Sequence, residues 1–471
     1  MSLRFLPNGI AAAAALLALA LTLAPHQTAA QTEAPGQPVS AETVLAKITE
    51  RGNIYFAEAA ADLASAEARL ERARAALFPT ATALYEGERY KSRLHTEKDK
   101  AETYGSVQVT QRLFDFGKSW NTIDAARADA EAAKQLDLDA RNTVLMEGLA
   151  LFFDLHASDL VVQALNQDHA SAYVQWERAK ERSGLGQQSP VEVAEKLADV
   201  EKSRLILHTE QRRNMDLRLR LADLTGLPFD KEMLGSPTGP KDKPAVIDAE
   251  PFEKAVLARN PKLQALAGRL TSLRLAREGT GTFPYIDAFG AVNQYSRPSA
   301  TRDEWTAGAR ITWPFMDGGR QSAERSRLAA EMVRTEARLE RAKRDMTREA
   351  RVTLRERDNA WQQLIAARAR FDYAKKYLLQ RQRLYEQERV TDLGRAMIGF
   401  TEAEAGVVRA AGTLHQVDAR LAVLLGEHPA RSLEKDFIVR ALGSGAVEKK
   451  DSYETKGGSG FGQQDQNKIN R

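Results

Sequence analysis

The sequence contains no cysteine and few aromatic residues. None of its 471 residues is Cys, and Phe, Trp and Tyr together make up 7%. The chain therefore has no disulfide scaffold, no thiolate chemistry, no Cys-ligated metal centre and no N-terminal cysteine for lipid attachment. So few aromatic residues argue against the roughly three globular domains that the length alone would suggest.

The chain also has no strong excess of either charge. Its 68 Lys and Arg residues are nearly matched by 64 Asp and Glu residues, which leaves a formal net charge of +4. The two signs interleave at helical spacing, as in Glu340 and Arg344, and this pattern predicts solvated, ion-paired helices. It argues against a nucleic-acid partner. Ala, Glu, Arg and Leu at this spacing predict long helices or coiled coil.

Residues 1–30 are predicted to be a secretory signal peptide. Arg4 supplies a positive charge, residues 10–23 form an apolar run, and small residues precede Gln31. A run of about 14 residues is short for a membrane-spanning helix, which favours a cleaved peptide over a signal anchor. We therefore expect export to the periplasm or the outer membrane of a Gram-negative-type cell.

The rest of the sequence contains two copies of the same series of motifs. Phe78-Pro79 recurs as Phe283-Pro284, and the segment 113–117 (LFDFG) recurs as 315–319 (FMDGG) at nearly the same offset. Such self-similarity predicts two structural repeats.

Each repeat is predicted to contain a helix, a β-hairpin and a pair of long helices. The hairpins are expected at about 79–116 and about 283–316, and the helix after each continues for about 65 residues, roughly 100 Å. The predicted divisions are a signal peptide at 1–30, a first repeat at 31–226, a linker rich in Pro and Gly at 227–250, a second repeat at 251–426, and a C-terminal extension at 427–471, disordered at its end.

Apolar residues alternate with small or polar ones along segment 304–313, as they do in a membrane-spanning β-strand. Its apolar residues share one face, namely Trp305, Ala307, Ala309, Ile311 and Trp313. The two tryptophans are separated by roughly 26 Å of strand, the height of the apolar band of an outer-membrane barrel, with an aromatic residue at each interface. A half-buried hairpin of a soluble protein would alternate in the same way. The export signal, and the lack of another sheet to pack against, favour lipid contact.

Four strands per chain are too few to close a barrel. Open sheet edges are not tolerated in hydrocarbon, and barrels begin at about eight strands. At least two chains must therefore share one barrel, which predicts an obligate homo-oligomer.

Over about 40–426 the sequence resembles the TolC family of outer-membrane efflux and secretion channels. The resemblance rests on the Phe-Pro pairs, on segments 113–117 and 315–319, on Asn260-Pro261 before a helix, and on Leu-x-x-Leu-x-Gly helix endings. It implies a mainly α fold with a small β part. In such a fold, long α-helical hairpins form a periplasmic α-barrel continuous with an outer-membrane β-barrel of four strands per chain and twelve in a homotrimer.

The resemblance also implies a function and partners. The trimer would be a passive exit duct for substrates delivered by an inner-membrane ABC or proton-driven transporter and a periplasmic adaptor (membrane fusion) protein, in type I secretion or multidrug efflux. The barrel would contact outer-membrane lipid. The missing lipidation cysteine favours the secretion type, and protein, polysaccharide, drug and metal cargo all remain compatible. The alternative is a periplasmic coiled-coil adaptor or scaffold without a membrane barrel.

Asp followed by Gly at the end of each hairpin predicts a turn and a helix N-cap. The residues are Asp115, Gly117, Asp317, Gly318 and Gly319, and the first copy departs from the family by placing Phe116 where Gly is usual. Trp305 and Trp313 are the predicted membrane-interface aromatics.

The resemblance implies a periplasmic gate at the turns between the long helices. The candidates are Tyr385, Arg389, Asp392, Arg395, Gln187 and Glu192. The alternative is that these turns are ordinary exposed helix tips, and Ser189 followed three residues later by Glu192 is typical of a capping box that begins a helix.

No catalytic pattern is present in the sequence. It has no HExxH, no nucleophile elbow and no P-loop, and its seven His residues are scattered. We therefore predict no enzyme activity, no cofactor and no metal site.

Overall fold

The computed structural model describes residues 39–50, 54–90, 100–227, 239–240, 242–296, 303–386, 393–434 and 437–442. The predicted signal peptide, residues 228–238 and 241 of the predicted linker, and residues 443–471 of the predicted extension lie outside these ranges. So do two gate candidates, Arg389 and Asp392.

In the described residues the fold is mainly α with one small sheet, as predicted. The first repeat contains α1 (Ala41–Glu50), α2 (Ile54–Ala75), β1 (Thr80–Tyr90), β2 (Lys100–Phe114), α3 (Lys118–Gly184) and α4 (Pro190–Thr225). The second contains α5 (Ala249–Arg259), α6 (Pro261–Glu278), β3 (Tyr285–Tyr295), β4 (Trp305–Thr312), α7 (Arg320–Glu386) and α8 (Leu393–Leu424). A 3-10 turn (Pro429–Leu433) and α9 (Phe437–Leu442) follow.

Two helices, rather than the single predicted one, precede each hairpin. In the second repeat the break lies at Asn260-Pro261, because proline has no N–H to donate within α5 but suits the first turn of a new helix. The Asn260 side-chain oxygen accepts from the backbone N–H of Lys262 at 3.1 Å and caps α6. Asn260-Pro261, one of the motifs on which the family resemblance rests, therefore marks the boundary between α5 and α6.

The four strands form one antiparallel sheet in chain order, β1-β2-β3-β4. The two hairpins meet along β2 and β3, where Val107 is opposite Val292, and a bulge interrupts this pairing between Arg112 and Phe114. One sheet therefore joins the two repeats.

The helices next to the sheet are arranged in the same order as the strands. Helix α2 packs on α3, α3 packs on α6, and α6 packs on α7. Farther from the sheet, α3 packs on α4 and α8, and α8 packs on α7. The helices thus form a single layer that continues from the sheet.

The buried apolar residues are concentrated where short helices cross the long ones. One cluster joins α1 to α3 and α4 through Leu45, Phe152 and Leu221. A second joins α5, α7 and α8 through Phe252, Ala350 and Leu421. These contacts fix the middle of the helical layer. None of the described helices combines the length and the hydropathy needed to cross a bilayer.

Candidate functional site: the sheet faces, the junctions and the open edges

One face of the sheet is apolar and is not covered by any described part of the chain. Because side chains alternate along a strand, the register places most of the apolar residues of the four strands on this face, together with Gln111 and Gln294, while Leu84 and Phe289 lie on the opposite face. The apolar face consists of Ala81, Ala83, Tyr85, Val107, Val109, Ile286, Ala288, Val292, Trp305, Ala307, Ala309 and Ile311. Trp305 and Ile311 are 71% and 73% exposed, whereas such side chains are normally buried.

The opposite face of the sheet, called the polar face, carries a hydrogen-bonded network. Tyr104 and Ser106 both donate to the side-chain oxygen of Asn293, at 3.0 and 2.9 Å. Arg112 donates to Asp287 at 2.9 Å across the β2–β3 pair. In the sequence, Ser106 and Arg112 alternate with the apolar residues Val107, Val109 and Leu113. Their partners on β3 were missed, because pairing between strands 175 or more residues apart leaves no local signal.

The tryptophans at the ends of β4 are not equivalent. Trp305 begins the strand opposite Val292. Trp313 follows its last residue, donates its indole N–H to the Thr282 carbonyl at 3.0 Å, and packs edge-on against Phe315. Trp313 thereby ties the end of the strand to the start of the hairpin.

The turns from sheet to helix use aspartate as a cap in both repeats. Asp115 is buried and accepts from the backbone N–H of Ser119 at 2.9 Å, and also from its hydroxyl. Asp317 accepts from the backbone N–H groups of Gly319 and Gln321 at 3.0 and 2.9 Å. These contacts satisfy N–H groups that have no partner within the helix, although the N-cap residue of α3 is Gly117 and Asp115 lies two positions before it.

The backbone after each cap is left-handed. Gly117 has φ 86°, and its counterpart Gly319 has φ 84°. Phe116 has φ 58°, where the second repeat has Gly318 at φ 67°. A side chain at such a φ costs roughly 1–2 kcal/mol. The departure from the family pattern noted in the sequence is therefore a strained position, whose ring packs edge-on against Phe114.

The described gate candidates are exposed and separate. Tyr385, Arg395, Gln187 and Glu192 share no hydrogen bond or ion pair with one another in the part of the chain that the structure covers. Ser189 caps α4, as expected, but its hydroxyl accepts from Val191 at 3.2 Å, so the structure shows an N-cap rather than the capping box predicted with Glu192.

The two helix turns lie at different levels along the layer. A Cβ on Gly394, at the start of α8, would lie 3.9 Å from the Ser171 hydroxyl of α3. Ser171 precedes the end of α3 at Gly184 by 13 residues, about 20 Å of helix. The structure therefore does not bring Arg395 together with Gln187 and Glu192 within one chain.

Several ionisable groups are buried where α3, α7 and α8 meet. His415 stacks on Phe153, and burial lowers the pKa of His415. Burial raises the pKa of Asp418, against the effect of Arg357, which donates to it at 2.6 Å. Burial also lowers the pKa of His156. Of these groups, Arg357 and Asp418 form an ion pair that joins α7 to α8. Within the described ranges, no three His, Cys, Asp or Glu side chains are grouped as metal ligands.

The sheet and the helical layer end in open edges on the same sides. Strand β1 and helix α2 form one edge, and strand β4 and helix α7 form the other. We call these the β1/α2 edge and the β4/α7 edge. An unpaired strand edge is a template for pairing with another chain.

Comparison with known proteins identifies the chain. The family model described as "Outer membrane efflux protein" matches residues 49–226 and 254–427. No curated protein sequence matches the chain. Among solved structures, the Campylobacter jejuni CmeC outer membrane channel is 16% identical with a TM-score of 0.67, over 83% of this chain and 88% of that one.

Two other channels are similar to a comparable extent. The open-state MtrE outer membrane channel of Neisseria gonorrhoeae is 17% identical with a TM-score of 0.63, over 83% of this chain and 89% of that one. The outer membrane protein VceC of Vibrio cholerae is 14% identical with a TM-score of 0.62, over 82% and 96%. At these identities the likenesses show a shared fold. The family match covers both repeats, confirms the resemblance and the outer-membrane location expected from the sequence, and shows that the chain belongs to the outer membrane efflux protein family.

Proposed function

We propose that three copies of this chain form a passive conduit across the outer membrane and the periplasm. In this conduit the β1/α2 edge of each copy joins the β4/α7 edge of the next, so that strands close a barrel and helices close a tunnel. The apolar face contacts lipid, with Trp305 and Trp313 at its two interfaces, and the polar face lines the water-filled interior.

The observation that carries this proposal is the two-faced sheet. An exposed surface that includes Trp305 and Ile311 is costly in water, at about 25 cal/mol per Å² of apolar area, and stable in hydrocarbon. The opposite face pairs Arg112 with Asp287, a contact suited to an aqueous interior rather than to lipid. A coiled-coil adaptor would need neither face.

Energy for transport must come from partners, because a wall of helices and strands supplies none. We propose that an inner-membrane ABC or proton-driven transporter delivers the cargo and that a periplasmic adaptor contacts the helix ends far from the sheet. The conduit itself catalyses no reaction. Type I secretion and multidrug efflux both fit this arrangement.

We place the closing point of the tunnel at the same far ends. Tyr385 at the end of α7 and Arg395 at the start of α8 are exposed there. Arg395→Ala should raise the single-channel conductance of the purified protein in planar bilayers at least about twofold, since a side chain that narrows a pore is removed. Arg370→Ala, which removes an exposed arginine of α7 about 20 Å nearer the sheet than Tyr385, is the matched control. An unchanged conductance for Arg395→Ala would remove this residue from the constriction.

Membrane fractionation tests the proposed function. The protein should sediment with the outer membrane, require detergent for release, and run as a trimer that heating converts to monomers. Replacing Trp305 and Ile311 by serine should reduce insertion, because it places polar groups on the apolar face. Replacing Thr306 and Thr312, on the polar face, by serine is the matched control. Release of the native chain by osmotic shock as a monomer would overturn the proposal.

A further inference from the structure

Helix α4 carries three large apolar side chains that are exposed and share one side of the helix. Leu205, Met215 and Leu219 are 67%, 57% and 60% exposed. They belong to one heptad series, whose other members are His208 and Arg212 and which extends about 20 Å along the helix. We call the three apolar residues the α4 stripe. Apolar side chains grouped in this way are typical of a surface that packs on another helix.

The α4 stripe lies on the side of α4 that is turned away from α3. On the opposite side, Ser203 hydrogen-bonds His169 of α3 at 3.0 Å, and the Asn214 amide donates to Asp159 of α3 at 2.9 Å. At 3.6 residues per turn, the stripe is roughly 150° around the helix from Ser203 and Asn214. Away from the sheet the helices of the layer are ordered α4-α3-α8-α7, so α4 is an outer helix and the stripe faces outward from the end of the layer.

Helix α8 shows what this side of the helix packs on. An offset of 200 residues relates α4 to α8, because Gly226 and Gly426 follow the two helices with the same φ of 75°. At this offset the α4 stripe corresponds to Ala405, His415 and Ala419. Ala405 and Ala419 are buried, and His415 stacks on Phe153 of α3. The side of α8 that packs on α3 is therefore the side of α4 that carries the stripe.

Helices α3 and α8 are antiparallel, and two glycines of α8 define their register. A Cβ on Gly412 would lie 2.7 Å from the Cβ of Phe153. A Cβ on Gly394, 18 residues earlier, would lie 3.9 Å from the hydroxyl of Ser171, 18 residues after Phe153. The two helices thus keep one register over this length.

The same register predicts which residues of α7 would face α4 of another copy. Helices α3 and α7 have 67 residues each, and an offset of 202 relates their first residues. Applying both offsets to the Gly394 contact places Ala194 of α4 opposite Tyr373 of α7. Moving 21 residues along each helix places Met215 opposite Val352. Tyr373 and Val352 are 67% and 45% exposed, so this side of α7 also presents apolar surface.

We propose that, away from the sheet, neighbouring copies are joined by an apolar contact between the α4 stripe of one copy and the side of α7 that carries Val352 and Tyr373 in the next. We call this the α4/α7 contact. The inference rests on the proposed edge-to-edge assembly, and it assigns the edge in this half of the layer to α4 instead of α2. Tyr373 then meets the small Ala194, and Met215 meets Val352, so apolar surface on both helices leaves water.

The residues on α4 keep this contact distinct from the one between α3 and α8. Arg212 occupies the position of Gly412, whose missing side chain leaves room for Phe153. An arginine there would collide with Phe153, so α4 could not replace α8 on α3. On α7 the residue at that level is Arg355, and the stems of two arginines can pack while their charged ends reach water.

Engineered disulfides test the register, because the chain has no cysteine of its own. Met215→Cys with Val352→Cys, and Ala194→Cys with Tyr373→Cys, should each give disulfide-linked dimers and trimers on mild oxidation. The swapped pairs are the matched controls. Met215→Cys with Tyr373→Cys, and Ala194→Cys with Val352→Cys, are about 30 Å out of register and should stay unlinked, since a disulfide needs Cα atoms within about 7 Å.

Charges placed on the α4 stripe test its contribution to the assembly. Leu205→Glu with Met215→Glu should raise the rate at which the detergent-solubilised trimer dissociates at least about tenfold, because carboxylates would be buried in the contact. Ile206→Glu with Thr209→Glu is the matched control. It adds the same charge to exposed residues of α4 off the stripe, and the dissociation rate should stay within about twofold of the native rate.

The outcomes separate this inference from the proposed function. A native protein that is monomeric in detergent would overturn both. A trimeric native protein would overturn the α4/α7 contact alone if the matched cysteine pairs stay unlinked or if the swapped pairs link as readily. Equal dissociation rates for the two glutamate variants would overturn it as well.

Discussion

Helices α3 and α7 have the same length and follow equivalent turns, but they differ in charge and in surroundings. Helix α3 has 7 basic and 11 acidic residues, and α7 has 18 and 10. Helix α3 is packed on both sides, by α2 and α6 near the sheet and by α4 and α8 farther away, while α7 ends the layer. One helix is therefore surrounded within its own chain, and the other has one side exposed.

This difference shows that the two repeats use the same side of their equivalent helices, α3 and α7, for different contacts. The side of α3 that meets α6 carries small residues such as Ala128 and Ala132, which allow the helices to approach closely. The corresponding positions of α7 are Ala330 and Arg334, so one remains small and the other is charged. The first repeat uses this side for a contact within the chain, and the second repeat has a charged, exposed surface there.

The largest expected effect concerns the cores of the two helices. Phe152→Ala in α3 should lower the free energy of unfolding by about 3–5 kcal/mol, because Phe152 is fully buried and its removal leaves a cavity. Leu354→Ala, at the equivalent position of α7, should cost about 1–2 kcal/mol, because Leu354 is only partly buried. Urea unfolding in detergent micelles, followed by circular dichroism, measures both. Equal losses would show that α7 is packed as fully as α3.

The next effect compares the glycines that end α4 and α8. Gly226 and Gly426 both have φ 75°, but a Cβ on Gly426 would lie 2.9 Å from the Arg259 carbonyl. Gly426→Ala should cost about 2 kcal/mol, because backbone strain and a clash add, and Gly226→Ala should cost at least the roughly 1 kcal/mol of backbone strain that both positions share. The same unfolding assay applies. A larger loss for Gly226→Ala would contradict the assigned role of Arg259.

A smaller effect compares the two aspartate caps. Asp115→Ala should cost about 1–2 kcal/mol, because it leaves the buried Ser119 hydroxyl without its partner, and Asp317→Ala should cost less than about 1 kcal/mol, because water can replace it. Thermal unfolding of the two variants side by side is the measurement. Asp115→Asn, which keeps a side-chain oxygen, should recover part of the loss, and a full loss in that variant would contradict the capping role.

The smallest effect concerns the left-handed residue after each cap. Phe116→Gly should leave the free energy of unfolding within about 0.5 kcal/mol of the native value, because relief of strain is offset by the lost Phe114 contact and by the freedom of glycine in the unfolded chain. Gly318→Phe should cost about 1 kcal/mol. Stabilisation of more than about 1 kcal/mol by Phe116→Gly would mean that the ring contact contributes nothing.

Much of the fold could be predicted from the sequence because its signals are local. The alternation over 304–313 agrees with β4 at Trp305–Thr312, and the long pattern without breakers agrees with α3 and α7. Strand β2 begins at Lys100, and its first residues continue the backbone pairing with β1 (Lys100 opposite Tyr90, Thr103 opposite Gly87) without an alternation of apolar residues that would have shown this in the sequence.

What could not be predicted depends on partners distant in sequence. Glu340 was expected to pair with Arg344 but bonds Lys343 at 2.7 Å, a choice between neighbours that spacing alone does not decide. The contact of α3 with α6 leaves no periodic signal, because small residues such as Ala132 resemble surface alanines in sequence. The gate candidates rested on family resemblance, and the described ones are not brought together by this chain alone.

The two open edges have a consequence for stoichiometry. The β1/α2 edge and the β4/α7 edge are different surfaces, so a contact between copies is heterologous, and each added copy presents a fresh edge identical to the one it covers. Such growth stops only when a ring closes. The strength of the contact therefore decides how fast copies add, while the number of copies is decided by the angle between the two edges of one chain. A substitution that changes the twist of the sheet, far from either edge, is thus the kind that would turn a closed ring into an open chain of subunits.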